Sequence, residues 1–142
     1  MYRLFYSILV LFLICSCAST HRIHSAVKKQ NLEEIKTYVE QGEIDLTDLN
    51  GFTPLILASY YDHPSIVQYL CESGADVDRG DNKGWTALMY ASYYNFYDIA
   101  KILLDHNASV NKKNSEGHTA LYYANQYKYE DIVKLLKAKG AE

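Results

Sequence analysis

The side chains that could act on a substrate are sparse and scattered in this chain. His21, His24, His63, His106 and His118 show no metal-ligand spacing, and His63 and His106 read as helix-end residues rather than ligands. No serine stands in a nucleophile elbow, and no cysteine–histidine arrangement is suggested. Asp76 and Asp78 near Asp81 mimic the opening of a calcium loop, but the glutamate that closes such a loop is missing. These residues predict no catalytic centre, no metal and no cofactor, and so a protein that is not an enzyme. Tyrosine is abundant instead: there are fourteen, and the phenol offers contact area rather than reactivity at neutral pH. The stretch "ASYYDHPSIVQYL", from Ala58 to Leu70, returns thirty-three residues later as "ASYYNFYDIAKIL". Its paired tyrosines are the candidate functional residues, and a repeated element must carry them.

The same interval of 33 sets the punctuation, with Gly51, Gly84 and Gly117 each followed two residues on by Thr53, Thr86 and Thr119. It aligns Leu55, Leu88 and Leu121; Ala58, Ala91 and Ala124; Ile66, Ile99 and Ile132; and Leu70, Leu103 and Leu136. Thr53 predicts a helix N-cap, and Pro54 suits the first helical position, where no N–H is needed. "PLILASYY" is then a helix too short to stand alone. Its Leu55 and Ala58 face a second helix, "PSIVQYLCES", in which Ile66, Val67, Leu70 and Cys71 follow three-and-four spacing. The pair predicts an antiparallel helical hairpin, with Cys71 as a small core residue. Gly74 and Gly140, with Asn107 in the same column, end the second helix, and "ADVDRGDNKG" forms a turn before the next unit. A weaker first unit, "HRIHSAVKKQNLEEIKTYVEQG", matches at an offset of 32. Lys28, Lys29, Glu33, Glu34 and Lys36 suit its outward face, and Lys134, Lys137 and Lys139 suit the opposite cap.

The motif "GFTPLILASYYDHPSIVQYLCESGADVD" closely resembles the ankyrin repeat, whose hallmark is Thr-Pro-Leu-His-x-Ala, then a helix, then Gly-Ala-Asp-Val-Asn. The resemblance implies an all-α solenoid of about four helix-turn-helix repeats with connecting β-turn loops. It covers a repeat domain at 23–142, with repeats at about 21–49, 50–82, 83–115 and 116–142. It also implies association with another protein, the chief role of such repeats. Two columns depart from the pattern. The histidine is Ile56, Met89 and Tyr122 in the later units, so apolar packing is expected in place of its hydrogen bonds. The glycine between the helices is Gln30, Asp62, Asn95 and Lys128; Gln and Lys tolerate positive φ less well than Asp and Asn, which predicts looser outer units.

In an ankyrin-like stack, the two residues after the small pair lie at the open end of the inner helix, on the concave face. Here they are Lys28-Lys29, Tyr60-Tyr61, Tyr93-Tyr94 and Gln126-Tyr127. Phe52, Trp85 and His118 add a second column at the loop tips, while Tyr38, Tyr69, Tyr90 and Tyr123 fall in columns expected to be packed or at an edge. The expected partner is another protein held on Tyr60, Tyr61, Tyr93, Tyr94 and Tyr127, with Phe52, Trp85 and His118 beside them. A second reading is a glycan- or peptidoglycan-binding envelope protein that stacks the same rings on sugars and uses Asp62, Asn95 or Arg79 for hydrogen bonds. That reading needs coplanar aromatics.

At 142 residues, 49% hydrophobic and with two prolines, the chain has room for one ordered domain. The net charge of −3 is mild and mixed, so a nucleic-acid partner is not expected. The opening "MYRLFYSILVLFLICSCAST" places Arg3 before an apolar stretch from Leu4 to Ile14 and then small residues, the layout of a secretory signal. "ICSC" resembles the lipobox of bacterial lipoproteins, with Ile14 and Ser16 in place and Cys15 an unusual occupant. The resemblance implies a signal peptide over 1–16, lipid on Cys17 and a short tether over 17–22. Two alternatives stay open: cleavage after Ala18 by ordinary signal peptidase, and an uncleaved anchor. The expectation is an exported monomer on a bacterial membrane, facing periplasm or cell surface.

Overall fold

The computed structural model describes residues 22–142. The expected signal peptide, Cys17 and the tether up to residue 21 lie outside the described residues.

Eight helices make up the described chain: α1 at 22–28, α2 Leu32–Glu40, α3 Pro54–Tyr60, α4 Pro64–Glu72, α5 Ala87–Tyr93, α6 Tyr97–Asp105, α7 Ala120–Gln126 and α8 Glu130–Ala138. Among the described residues there is no strand, only an isolated bridge between Gly80 and Thr86. Each inner helix starts at the threonine column: the amides of Ile56, Met89 and Tyr122 donate to Thr53, Thr86 and Thr119 Oγ1 at 3.1, 3.3 and 3.3 Å. Helices α3, α5 and α7 have 7 residues each, too few to persist without packing. Inner helices α3, α5 and α7 therefore stack on one another, outer helices α4, α6 and α8 do the same, and each inner helix packs on its own outer one. The four aligned columns of Leu, Ala, Ile and Leu are buried throughout, as is Cys71.

The turns between paired helices place Gln30, Asp62, Asn95 and Lys128 at φ of 55, 57, 64 and 59°. The departure is in sequence and not in conformation: all four stand in the left-handed region that favours glycine, and Gln30 and Lys128 gain least from side-chain chemistry there. The loops joining units repeat two further devices. Asp48, Asp81 and Asn114 each accept two amide protons through Oδ1, from Asn50 and Phe52, from Lys83 and Trp85, and from Glu116 and His118, all at 2.8–3.0 Å. Asp45, Asp78 and Asn111 reach across to the next unit and accept from the amides of Asp76, Ser109 and Glu142 at 3.2, 2.7 and 3.0 Å. Close approach of successive loops explains Gly51: it has φ of +81°, and a Cβ there would lie 2.6 Å from the backbone nitrogen of Asn82.

The ends are polar by substitution in apolar columns. Glu34 and Tyr38 stand in repeat 1 where repeat 2 has Ile66 and Leu70, and Tyr38 donates its hydroxyl to Glu34 Oε1 at 3.1 Å. Exposed Lys137 stands in the last unit where Cys71 and Leu104 are buried in earlier ones. Each is what a terminal repeat needs, since one of its faces meets water.

Candidate interaction surface

The tyrosine pairs fall where an inner helix stops and its chain turns. Tyr60 and Tyr93 close α3 and α5, and Tyr61, Tyr94 and Tyr127 are the C-caps of α3, α5 and α7. Tyr60, Tyr61, Tyr94 and Tyr127 are 37, 43, 39 and 42% exposed, whereas Tyr93 is half-buried between neighbouring rings. Lys28 and Lys29 occupy the same columns in repeat 1 and are exposed.

The rings interlock across repeats. Tyr60 meets Tyr94 edge to face at 5.4 Å and 87°, and Tyr93 meets Tyr127 at 5.0 Å and 76°. Within a pair, Tyr60 and Tyr61 lie at 84° and Tyr93 and Tyr94 at 80°. A third column, which sequence reasoning missed, fixes the outer ring of each pair: His63, Phe96 and Tyr129 stack on Tyr61, Tyr94 and Tyr127 at 6.0, 5.7 and 5.8 Å, with interplanar angles of 21–23°. The ring surface is therefore held in place before any ligand arrives.

Phe52 and Trp85 are half-buried under this layer. Phe52 packs on Tyr90 and Tyr60 at 5.5 and 6.0 Å, and Trp85 packs on Tyr123 at 4.3 Å and on Tyr90 and Tyr93 at 5.0 and 5.6 Å. His118 lies flat on Tyr122, with centroids 3.7 Å apart and planes 1° apart. Tyr122 departs from expectation. Ile56 and Met89 in its column are buried as the pattern predicts, but Tyr122 is 42% exposed, because no described repeat follows to cover it. His24, the histidine of that column in repeat 1, instead donates Nε2 to the carbonyl oxygen of Phe52 at 2.6 Å, linking repeats 1 and 2. Leu49, at the first loop tip, stands 94% exposed where later loops have Asn82 and Ser115.

The phenols are not poised for proton chemistry. Burial, then the neighbouring Tyr60 hydroxyl, pushes Tyr94 up to about 12. The neighbouring Tyr93 hydroxyl, then burial, raises Tyr127. Burial, then the bond to Asp81, raises Tyr90, and burial raises Tyr123. Burial likewise pushes the Cys71 thiol up to about 11, and the buried thiol is neither nucleophile nor ligand at neutral pH.

Among the described residues, no group of three His, Cys, Asp or Glu side chains could hold a metal ion. Asp76 accepts from the Asp78 amide and Asp78 from Ser109, so the acidic pair that mimics a calcium loop works as loop structure. His63 and His106 are the N-cap residue of α4 and the C-cap residue of α6. An open depression of about 640 Å³ lies beside Asn95, Tyr97, Asp131 and Lys134, and none of the paired tyrosines lines it.

A family model described as "Ankyrin repeats (3 copies)" matches residues 23–114 and again 83–142. A human protein, Ankyrin repeat and SAM domain-containing protein 3, is 40% identical over 57 residues. That alignment takes in 39% of this chain and spans only 9% of the relative's length.

Proposed function

Because the chain belongs to the ankyrin-repeat family, a family of protein–protein interaction modules, we propose that it is a non-catalytic adaptor that holds another protein on its tyrosine face. The supporting observation is the interlocked run from Tyr60 and Tyr61 through Tyr93 and Tyr94 to Tyr127. Pre-ordered rings bury area at little entropic cost. The glycan reading fits this face poorly. Touching tyrosines cross at 76–87° and so share no plane with one another on which a sugar ring could stack.

The adaptor is exported and carried on a bacterial membrane by lipid on Cys17. The motif around Cys17 and the apolar stretch before it support this reading. Among the described residues no helix is long and apolar enough to cross a membrane. Arg22 already opens α1, so a tether over 17–21 spans at most about 18 Å at about 3.5 Å per residue, which would keep repeat 1 close to the bilayer.

Crosslinking in the native membrane, with wild type beside a Tyr60→Ala/Tyr94→Ala form, tests the face. One protein captured by wild type and lost with the double substitution is expected. Equal capture by both would remove the tyrosines from the interface, and retention on purified peptidoglycan that the double substitution abolishes would favour the glycan reading. Intact mass of the membrane-extracted chain tests the anchor: cleavage before Cys17 with added acyl mass is expected, and an unmodified N-terminus would overturn it.

A further inference from the structure

The tyrosine face has a polarity and a spacing that together specify a ligand, and the inference from them rests on that face being the binding surface. At one end the paired columns hold Lys28 and Lys29, both exposed and in no ion pair among the described residues. The carboxylates closest in sequence are already engaged: Glu33 pairs with Lys36 at 2.7 Å, and Glu34 accepts from Asn31 and Tyr38. Along the middle, Asp62 and Asn95 border the tyrosines in the helix-helix turns, and neither is a cation. At the far end the paired columns read Gln126-Tyr127, with one exposed cation, Lys128, in the turn beside them. Two adjacent cations thus stand in the paired columns at repeat 1 against a single turn cation at repeat 4, and ring contact extends along the later repeats.

Stacked helices lie about 8–10 Å apart, and the Tyr61, Tyr94 and Tyr127 columns cap α3, α5 and α7, so that packing distance sets the expected interval between rungs. A polyproline II segment advances about 3.1 Å per residue with three residues per turn, so like-facing side chains recur every 9–10 Å or so. A β-strand presents like-facing side chains about every 7 Å and falls out of step within two rungs. Aromatic-lined grooves suit polyproline II segments because the ligand loses little entropy on docking. Tyr61, Tyr94 and Tyr127, each held by a stacked neighbour, offer ring faces and edges as the contact, which suits proline and leucine.

We infer that the occupant is a polyproline II segment of a partner protein, with proline or aliphatic residues at every third position over Tyr61, Tyr94 and Tyr127 and a carboxylate side chain over Lys28 and Lys29.

Fluorescence anisotropy with the full chain in mild detergent tests this. The probes are labelled peptides with three Pro-Pro-Leu triplets and two glutamates, placed at either end because chain direction is open, their glutamine counterparts, and an alternating Thr-Val peptide of equal length. One glutamate peptide should bind about three- to tenfold tighter than its glutamine counterpart, with the difference shrinking at high salt. Lys28→Glu/Lys29→Glu should abolish that difference, and Tyr94→Ala or Tyr61→Ala should weaken both peptides about tenfold. Helical circular dichroism guards against unfolding in each variant. Binding that needs Tyr94 but ignores the glutamates would overturn the polarity while leaving the face intact. Equal binding of the Thr-Val peptide, or no binding of any proline peptide, would overturn the ligand class. The tyrosine face itself would then still stand or fall by membrane crosslinking.

Discussion

Tyr90 donates its hydroxyl to Asp81 Oδ2 at 2.8 Å, and one repeat later the direction reverses, with Asn114 Nδ2 donating to the hydroxyl oxygen of Tyr123 at 2.8 Å. In each case Oδ1 of the Asx side chain accepts two loop amides. A phenol can donate or accept, so it tolerates either an acid or an amide opposite it. Asp81→Asn should therefore cost less than about 1 kcal/mol, while Asp81→Ala, which strands two amides and a phenol, should cost about 2–3 kcal/mol. Urea unfolding checks both, and equal losses would mean the bond to Tyr90 carries the loop.

Gln30 and Lys128 sit at φ of 55 and 59° with side chains suited to neither. Gln30→Gly and Lys128→Gly should each raise stability by about 0.5–1 kcal/mol, and Asp62→Gly and Asn95→Gly should change it little. A urea midpoint that moves as far for Asn95 as for Lys128 would show that residue type does not matter at this turn.

Tyr90 and Tyr94 are raised in the folded chain by burial first and by hydrogen bonding second, Tyr94 to about 12. The unfolded chain deprotonates at the ordinary tyrosine value of about 10, so stability from these phenols is fully present below about 10. It is lost as pH rises from there through about 12, because at these two positions the unfolded chain gains phenolate charge in that window ahead of the folded one. Phenolate absorbance should climb together with loss of helical signal. Full ionisation near pH 10 with the helices intact would contradict it.

Glu34 and Tyr38 keep the outward face of repeat 1 wet. Glu34→Ile with Tyr38→Leu restores the apolar columns of the inner repeats and should expose a surface made for a neighbour. Light scattering should then show concentration-dependent self-association that the parent chain lacks. A monodisperse double variant would place the stacking specificity elsewhere.

Helices were legible because threonine caps, Pro54 and three-and-four apolar spacing act locally, and each repeats at a fixed interval. The left-handed turns at Asp62 and Asn95 were legible for the same reason. The candidate face was legible as columns, not as contacts. That Phe52 and Trp85 lie half under the tyrosines follows from ring sizes in adjacent loops, and that Tyr122 stays open follows from its place in the last described unit. The stacking of Tyr61, Tyr94 and Tyr127 on His63, Phe96 and Tyr129 joins residues two apart around a left-handed turn, and their shared period of 33 was the available signal.

The cross-links through Asp45, Asp78 and Asn111 carry a consequence for how such a chain can grow. Acceptor and donor recur at the same interval, so an in-frame copy of residues 50–82 would arrive with both halves of its joint, ready to mate with the old unit on either side. The copy would bring Tyr60 and Tyr61 with it. Lengthening the scaffold and lengthening its ring-lined face are thus one genetic event.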